Sequence, residues 1–222
     1  MTYKFDFSVL LPYWEQLLRG CWLTILLSSI AIAAGLMIGI LTALAKQSRL
    51  AGVRLAANTY VEAIRNTPFL VQVFFIYFGL PALGPSFQPW SAAVIALSLN
   101  CGAFSGEVIR GGIDAISRGQ LEAGAALGLK PLQVFRYIVL KPALRIIFPA
   151  LSGQFVLSLL TTSIVSSISA EELTSIAESI DTLTFRSFEI YIVTTLLYLF
   201  IALGFSTLFK VVDRVYFSYP VK

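Results

Sequence analysis

The chain has 222 residues, of which 57% belong to the set A, V, I, L, M, F, W, Y, C and only 13% are charged. Soluble chains average about 45–50% and about 25% on these measures, so the composition excludes an ordinary soluble domain and places the chain in a membrane. The formal charge is +4 and there is no histidine, which excludes Ser–His nucleophiles, His metal sites and imidazole proton relays.

From Cys21 to Ala45 no residue is charged; at ~1.5 Å per residue this run makes about 37 Å of helix, enough to cross a ~30 Å hydrocarbon core with some tilt. It is too long for the core of a secretory signal, and an aromatic, mixed-charge stretch with Tyr3, Phe5, Asp6, Trp14 and Glu15 precedes it, so no cleavage is expected. The uncharged run Asn66–Gly106 is broken by Leu80-Pro81, Gly84-Pro85 and Pro89, and turn residues of that density divide it into two spans. The expected spans are therefore about 21–45, 57–80, 90–109, 146–170 and 190–209, five in all. Cys21 and Cys101 lie in apolar runs without pairing or zinc-site spacing and read as buried thiols.

Five spans put the termini on opposite sides. Thirteen of the 16 basic residues fall on one side: Lys46, Arg49, Arg54 and Arg65 after span one, Arg110 to Arg145 after span three, and Lys210, Arg214 and Lys222 in the tail. The other side holds Lys4, Arg19 and Arg186 and an acidic last loop with Glu171, Glu172, Glu178, Asp181 and Glu189. The positive-inside rule then predicts an extracytoplasmic N-terminal segment (1–19) and a cytoplasmic tail (212–222). Small residues recur every four positions in span one (Ala31, Gly35, Gly39, Ala43) and span three (Ser98, Gly102, Gly106). Such stripes allow close helix approach in lipid, and packing within one bundle is the expected use rather than a dedicated dimer seam.

The segment 117–145 is the longest on the basic side. Glu122 starts the helix-forming run Glu122–Leu127, where a carboxylate suits the dipole of a helix start. Gly128 stands where helices commonly end in a left-handed residue. Pro131 fits the first turn of a second helix whose Leu132, Phe135 and Val139 are spaced along one face. This predicts a helix-turn-helix knob. Taken alone, the knob could equally be an amphipathic pair resting on anionic headgroups.

Three motifs in this chain resemble those of the transmembrane subunits of ATP-binding-cassette importers, the polar amino acid permeases among them. That family carries Glu-Ala-Ala, a Gly six residues after the Glu, an Ile ten after the Gly, and then Leu. Here Glu122-Ala123-Gly124, Gly128, Ile138 and Leu140 match in spacing. Glu107–Ile113 with Ser117–Gln120, and Arg65–Gln72, resemble the amino acid subfamily in the same order, and the likeness runs from about Gly20 to Val211. The chain departs from the family at Gly124, which stands in place of Ala, and at Pro142, displaced by one residue. It departs again at Leu160-Thr161-Thr162-Ser163-Ile164, where the family often has a Lys-Asp pair.

The resemblance implies an all-α integral membrane protein of the type I importer permease fold over residues 20–211, sited in a bacterial plasma (inner) membrane. It implies an ATP-binding-cassette ATPase dimer as partner, a second permease subunit of the same or a similar kind, an extracytoplasmic amino-acid-binding protein and surrounding membrane lipids, with no nucleic acid. Coupling to the ATPase would fall to Glu122, Ala123, Gly124, Gly128, Leu129, Lys130 and Arg136. No cofactor is expected on this chain, with ATP and Mg held by the partner. The sequence agrees on one point, because it has no Gly-x-x-x-x-Gly-Lys-Ser/Thr loop and so lacks the phosphate cradle of an ATPase.

Charged residues are absent from the centres of spans one, three, four and five, which argues against a proton-coupled carrier; Glu62, Arg65, Glu107 and Arg110 sit at span ends, where local pairing is the simpler reading. The candidates for a polar path are then Gln72, Asn100 and the span-four hydroxyls Ser158, Thr162, Ser163 and Ser166. Hydroxyls in membrane helices also bond back to their own helix. The alternative function is a small self-contained channel or secondary carrier with a basic, lipid-anchoring loop.

Overall fold

The computed structural model describes residues 3–216, so the end of the tail, 217–222, lies outside the described residues. All regular elements among them are helical. A short 3-10 turn, Phe7–Tyr13, leads into α1 (Trp14–Lys46). Then come α2 (Ala51–Arg65), α3 (Phe69–Phe74), which continues to Leu83 by a widened and a tightened turn, and α4 (Pro89–Asp114). The knob is built from α5 (Arg118–Ala126) and α6 (Pro131–Val134). Next are α7 (Leu140–Thr161), a 3-10 segment Thr162–Ile168, α8 (Leu173–Thr184) and α9 (Ser187–Tyr216).

The two stripes of small residues meet each other. A Cβ placed on Gly35 would stand 2.7 Å from Cys101 Cβ, and one on Gly39 would stand 2.9 Å from Ser105 Cβ and 3.0 Å from the Gly106 nitrogen. From the other side, Gly106 lies against Thr42 and the Gly39 carbonyl. The order of these contacts makes α1 and α4 parallel neighbours. The stripes therefore serve packing inside one bundle.

That parallel pairing also settles how many times the chain crosses. Four helices are long and apolar enough to span a membrane, and the pair Ala51–Arg65 with Phe69–Leu83 is bent by 113°. Since α1 and α4 run the same way, the chain between them has to return to the starting side, so the bent pair is a crossing and five spans result. The span expected over about 57–80 is bent within those bounds: Pro68 interrupts the helix, lacking the N–H that would continue the ladder and forcing its predecessor out of helical geometry. The turn expected at Gly84 is present, with φ +117°.

Other boundaries move outward. The first membrane helix begins well before Cys21, α4 extends to Asp114, and the fourth span begins at Pro142. Widened turns at Phe75–Gly79 and Phe135–Val139 each precede a proline, Pro81 and Pro142. Each proline removes the donor for the carbonyl four residues back and crowds it, and a widened turn relieves that strain without ending the helix. Pro142 is thus absorbed, and α6 runs into α7 without a break.

At the acidic end, α8 is a helix inside the segment read as a loop. It buries Leu173, Ile176, Ala177 and Ile180 against Leu10, Leu17 and Ile190. Gly20 admits it, since a Cβ there would lie 2.9 Å from Leu173 Cα. Two of the acidic residues expected to face water are fully buried, Glu172 and Glu189. Glu189 accepts hydrogen bonds from the Tyr3 hydroxyl and, at 2.9 Å, from the Asp6 N–H, which fastens the N-terminal segment to the start of α9.

The α1–α4 seam yields a direct check. Gly39→Leu should separate the two helices and lower stability by at least about 2 kcal/mol, the cost of overpacking a closed site. Gly153→Ala, at a helix position with open space around the added carbon, should instead stabilise by about 0.5–1 kcal/mol. Thermal unfolding of the two purified variants in detergent reads both.

Candidate functional site

The knob is closed by backbone geometry. Gly128 has φ +75°, its N–H reaches the Ala125 carbonyl at 2.9 Å, and the Leu129 N–H reaches the Gly124 carbonyl at 3.2 Å. This double bond pattern is a Schellman cap, which needs a residue that tolerates a left-handed backbone. Lys130 then begins the second helix, where the Gln133 side chain accepts from the Lys130 N–H at 2.8 Å. Gly124 is buried because Ile138 and Val134 press on it, and an added Cβ would collide with Ile138. The Gly in place of Ala therefore buys close contact between α5 and the second helix.

Two expectations within the knob are corrected. Glu122 does not start the helix, since α5 begins at Arg118 after Ser117 and Glu122 lies a turn further in, exposed beside Ala123. Leu132, Phe135 and Val139 do not share a packed face: Val139 is buried, Phe135 is half exposed, and the residues that meet α5 are Val134 and Ile138. Leu132 is 76% exposed and Leu127 is 79% exposed, so the tip of the knob is apolar. Leu132 reads from sequence as part of a packed face and Leu127 only as the end of the first helix, and neither is among the residues expected to couple. The signal was available in Leu127 standing directly before a left-handed glycine, where no helical neighbour can cover it. Arg136 is exposed, its guanidinium 5.8 Å from the centre of the Tyr137 ring.

Of the polar candidates, Gln72 and Asn100 come together. The Asn100 Nδ2 donates to Gln72 Oε1 at 3.0 Å, while Gln72 Nε2 donates to the Ile64 carbonyl at 2.7 Å and to Thr67 at 3.0 Å. Gln72 thus satisfies a carbonyl that the break at Pro68 leaves open, and it pins the bend to α4. The hydroxyls of span four do not form one stripe, because the α-helix gives way to a 3-10 helix at Thr162 and the faces rotate. Ser158 is buried. Thr162 and Ser163 bond back to the carbonyls of Leu159 and Leu160 at 2.6 and 2.9 Å. Ser166 donates to Glu178 at 3.2 Å.

Two charged centres hold the ends of the bundle. At the basic end Glu107 accepts from Lys46 of α1 and, at 3.2 Å, from Arg110, which also pairs with Asp114 at 2.6 Å. At the acidic end Glu172 caps α8, accepting from the Ser175 N–H at 2.8 Å, from the Tyr198 hydroxyl at 2.5 Å and from Thr24 at 3.4 Å. Burial raises the Glu172 carboxyl above its ordinary value, against the opposing pull of hydrogen bonds from Tyr198, the backbone and Thr24.

A bundle of helices long and apolar enough to cross a membrane, closed by a parallel α1–α4 seam and carrying a capped apolar knob at its basic end, defines a multi-pass membrane protein. Its sequence identifies the family. Residues 35–217 match the family of binding-protein-dependent transport system inner membrane components, and the chain belongs to that family. It is 36% identical over 213 residues to the glutamine transport system permease protein GlnP of Escherichia coli, covering 95% of this chain and 97% of that one. It is also 36% identical to the nopaline transport system permease protein NocM of Agrobacterium fabrum, with 91% and 88% covered. Among solved structures, a chain of an amino acid ABC transporter crystallised with histidines superposes with a TM-score of 0.89 at 36% identity, over 96% of this chain and 99% of that one. The methionine ABC transporter MetNI, in inward-facing conformations, shares the fold at a TM-score of 0.71 and 20% identity, with 92% and 99% covered. The chain is a permease subunit of an ABC importer.

Glu172 has a pH signature. A carboxyl whose folded value is raised favours the folded state while protonated, so its contribution is full below the unfolded value of about 4.3 and is lost as pH rises through the folded value. The melting temperature of the wild type relative to Glu172→Gln should therefore fall as pH is raised from 4 towards neutrality. A constant difference across that range would show that Glu172 does not change its protonation on unfolding.

Proposed function

We propose that the chain moves polar amino acids or close derivatives into a bacterial cell by alternating access in the plasma (inner) membrane, with its N-terminus outside and its C-terminus in the cytoplasm. The sided distribution of basic residues supports this orientation. ATP and Mg are held and turned over by a separate ATPase dimer, and an extracytoplasmic amino-acid-binding protein delivers the substrate. A second permease subunit completes the path, because five crossings around one close-packed α1–α4 seam leave no room for a pore within a single chain.

The observation that carries the coupling role is the knob. It sits outside the lipid, is fixed by a Schellman cap at Gly128, and presents Leu127 and Leu132 uncovered at its tip. Apolar side chains so exposed beyond the spans fit a protein groove better than water. Glu122, Ala123, Leu129, Lys130 and Arg136 surround that tip and would orient it in the groove of the ATPase, with Gly124 setting how tightly the two short helices close. Gln72, Asn100, Ser158, Thr162, Ser163 and Ser166 are the polar groups available along the path. Of these, Ser163 and Ser166 keep acceptor capacity on half-buried positions.

Gly128→Val tests the reading. A β-branched residue at φ +75° is strained by about 1–3 kcal/mol, enough to distort the knob while leaving the spans intact. The variant should insert and co-purify as a folded membrane protein, yet lose most ATP-driven uptake in proteoliposomes holding the complete importer. Normal uptake would refute the knob's role, and a transport-competent assembly of this chain alone would favour a self-contained carrier.

A further inference from the structure

In the basic-end half of the bundle, between the last turns of α1, the end of α4 and the first half of α7, runs a cavity of about 410 Å³. Every side chain lining it is Ala, Val, Leu, Ile or Phe. The buried Ala143, Ile147, Leu151 and Phe155 form its floor, and the exposed Ile40, Leu44, Phe135 and Leu140 form its rim. An apolar cavity of about 150 Å³ already stays dry and takes up small apolar molecules, and unfilled volume costs packing energy. This far larger void has no polar group to hold water, so an apolar occupant is required.

The dimensions say which. The lining positions cover ~12 Å of α1 (Leu36 to Leu44) and ~22 Å of α7 (Leu140 to Phe155) at ~1.5 Å per residue. One leaflet is about 15 Å deep, half of a ~30 Å core. With a methylene taking about the ~30 Å³ of a water molecule, the cavity holds about fourteen of them, the content of one acyl chain. A helix from another subunit does not fit, since ~20 Å of a rod ~10 Å across occupies about 1,600 Å³.

The charge around the rim suits an anionic headgroup. Lys46 and Arg49 follow Leu44 in the chain, Arg136 and Lys141 adjoin Phe135 and Leu140, and from Ala123 to Ala170 no residue is acidic. Basic residues at a membrane surface attract anionic lipids. We infer that this groove is a site for one anionic phospholipid, its acyl chain seated between α1 and α7 and its phosphate among the basic residues of the rim. Because Phe135, Val139 and Leu140 line the groove, the chain braces the second knob helix against α1. The site goes beyond the transport reading and holds whichever substrate is carried.

The test uses the purified permease–ATPase complex in detergent, washed free of bulk lipid. Native mass spectrometry of the wild type should show one phospholipid retained per copy of this chain, with phosphatidylglycerol favoured over phosphatidylcholine at least about fivefold. Ala143→Phe, which fills the floor, and Leu44→Trp, which covers the rim, should each cut retention at least about tenfold, and Leu203→Phe on the exposed face of α9 should leave it unchanged. Added phosphatidylglycerol should raise the melting temperature of the delipidated wild type by about 5 °C. Ala143→Phe should melt higher than the wild type before lipid is added and gain little from it, the reverse of a misfolded variant; if it melts lower, Leu44→Trp decides. A wild type that neither retains phospholipid nor is stabilised by it, or two variants that keep as much lipid as the wild type, would overturn the site. Equal retention of the two lipids would overturn the seat for an anionic headgroup. Efficient disulfide cross-linking of Leu44→Cys between two copies of the chain would give the groove to the second subunit instead.

Discussion

Everything in this bundle hangs on how closely α1 approaches α4. In lipid the hydrophobic effect gives helices no reason to associate, so dispersion across a tight contact has to supply it. Gly35, Gly39, Gly102 and Gly106 remove the side chains that would hold the backbones apart. With that seam closed, Lys46 reaches Glu107 at one end and Gly20 meets Leu173 at the other. Its parallel direction then dictates the rest of the topology, because it obliges the intervening chain to cross.

The crossing it imposes is the least regular part of the molecule, and its polar groups are accounted for one by one. Breaking a helix in lipid exposes carbonyls that no water can serve. Here Thr67 donates to the Ala63 carbonyl, and Gln72 serves Ile64 and Thr67 before passing its own carbonyl to Asn100. A glutamine in an apolar run looks like a path residue because it is costly there. It is retained because the bend would be costlier without it.

Apolar runs and charge sidedness are one-dimensional properties, so the five crossings and the basic end were legible in the sequence. So were Gly128 and the small-residue stripes, since a left-handed turn and a close contact each demand a particular residue type. What was not legible depended on partners distant in sequence. Glu172 reads as a solvated loop carboxylate until Tyr198 and Thr24 are seen to enclose it, 26 and 148 residues away. The hydroxyl stripe failed for a local reason: spacing of four residues marks one face only while the helix stays α. Gly124 is a poor helix former by propensity alone, and only the fold shows that Ile138 fills the space its missing methyl leaves.

The widened turn before Pro142 has a mechanical consequence. Because it lets α6 continue into α7 and on through the 3-10 segment, the chain from Pro131 to Ile168 is one uninterrupted helical rod, about 55 Å long at ~1.5 Å per residue. Near its middle Ile147 is wedged into the notch at Gly112, a fulcrum with short and long arms. Leu132 near one end and Thr162 and Ser166 near the other thus share one backbone, and Pro149 inside it, which cannot donate to the helical ladder, is the place where that rod can bend.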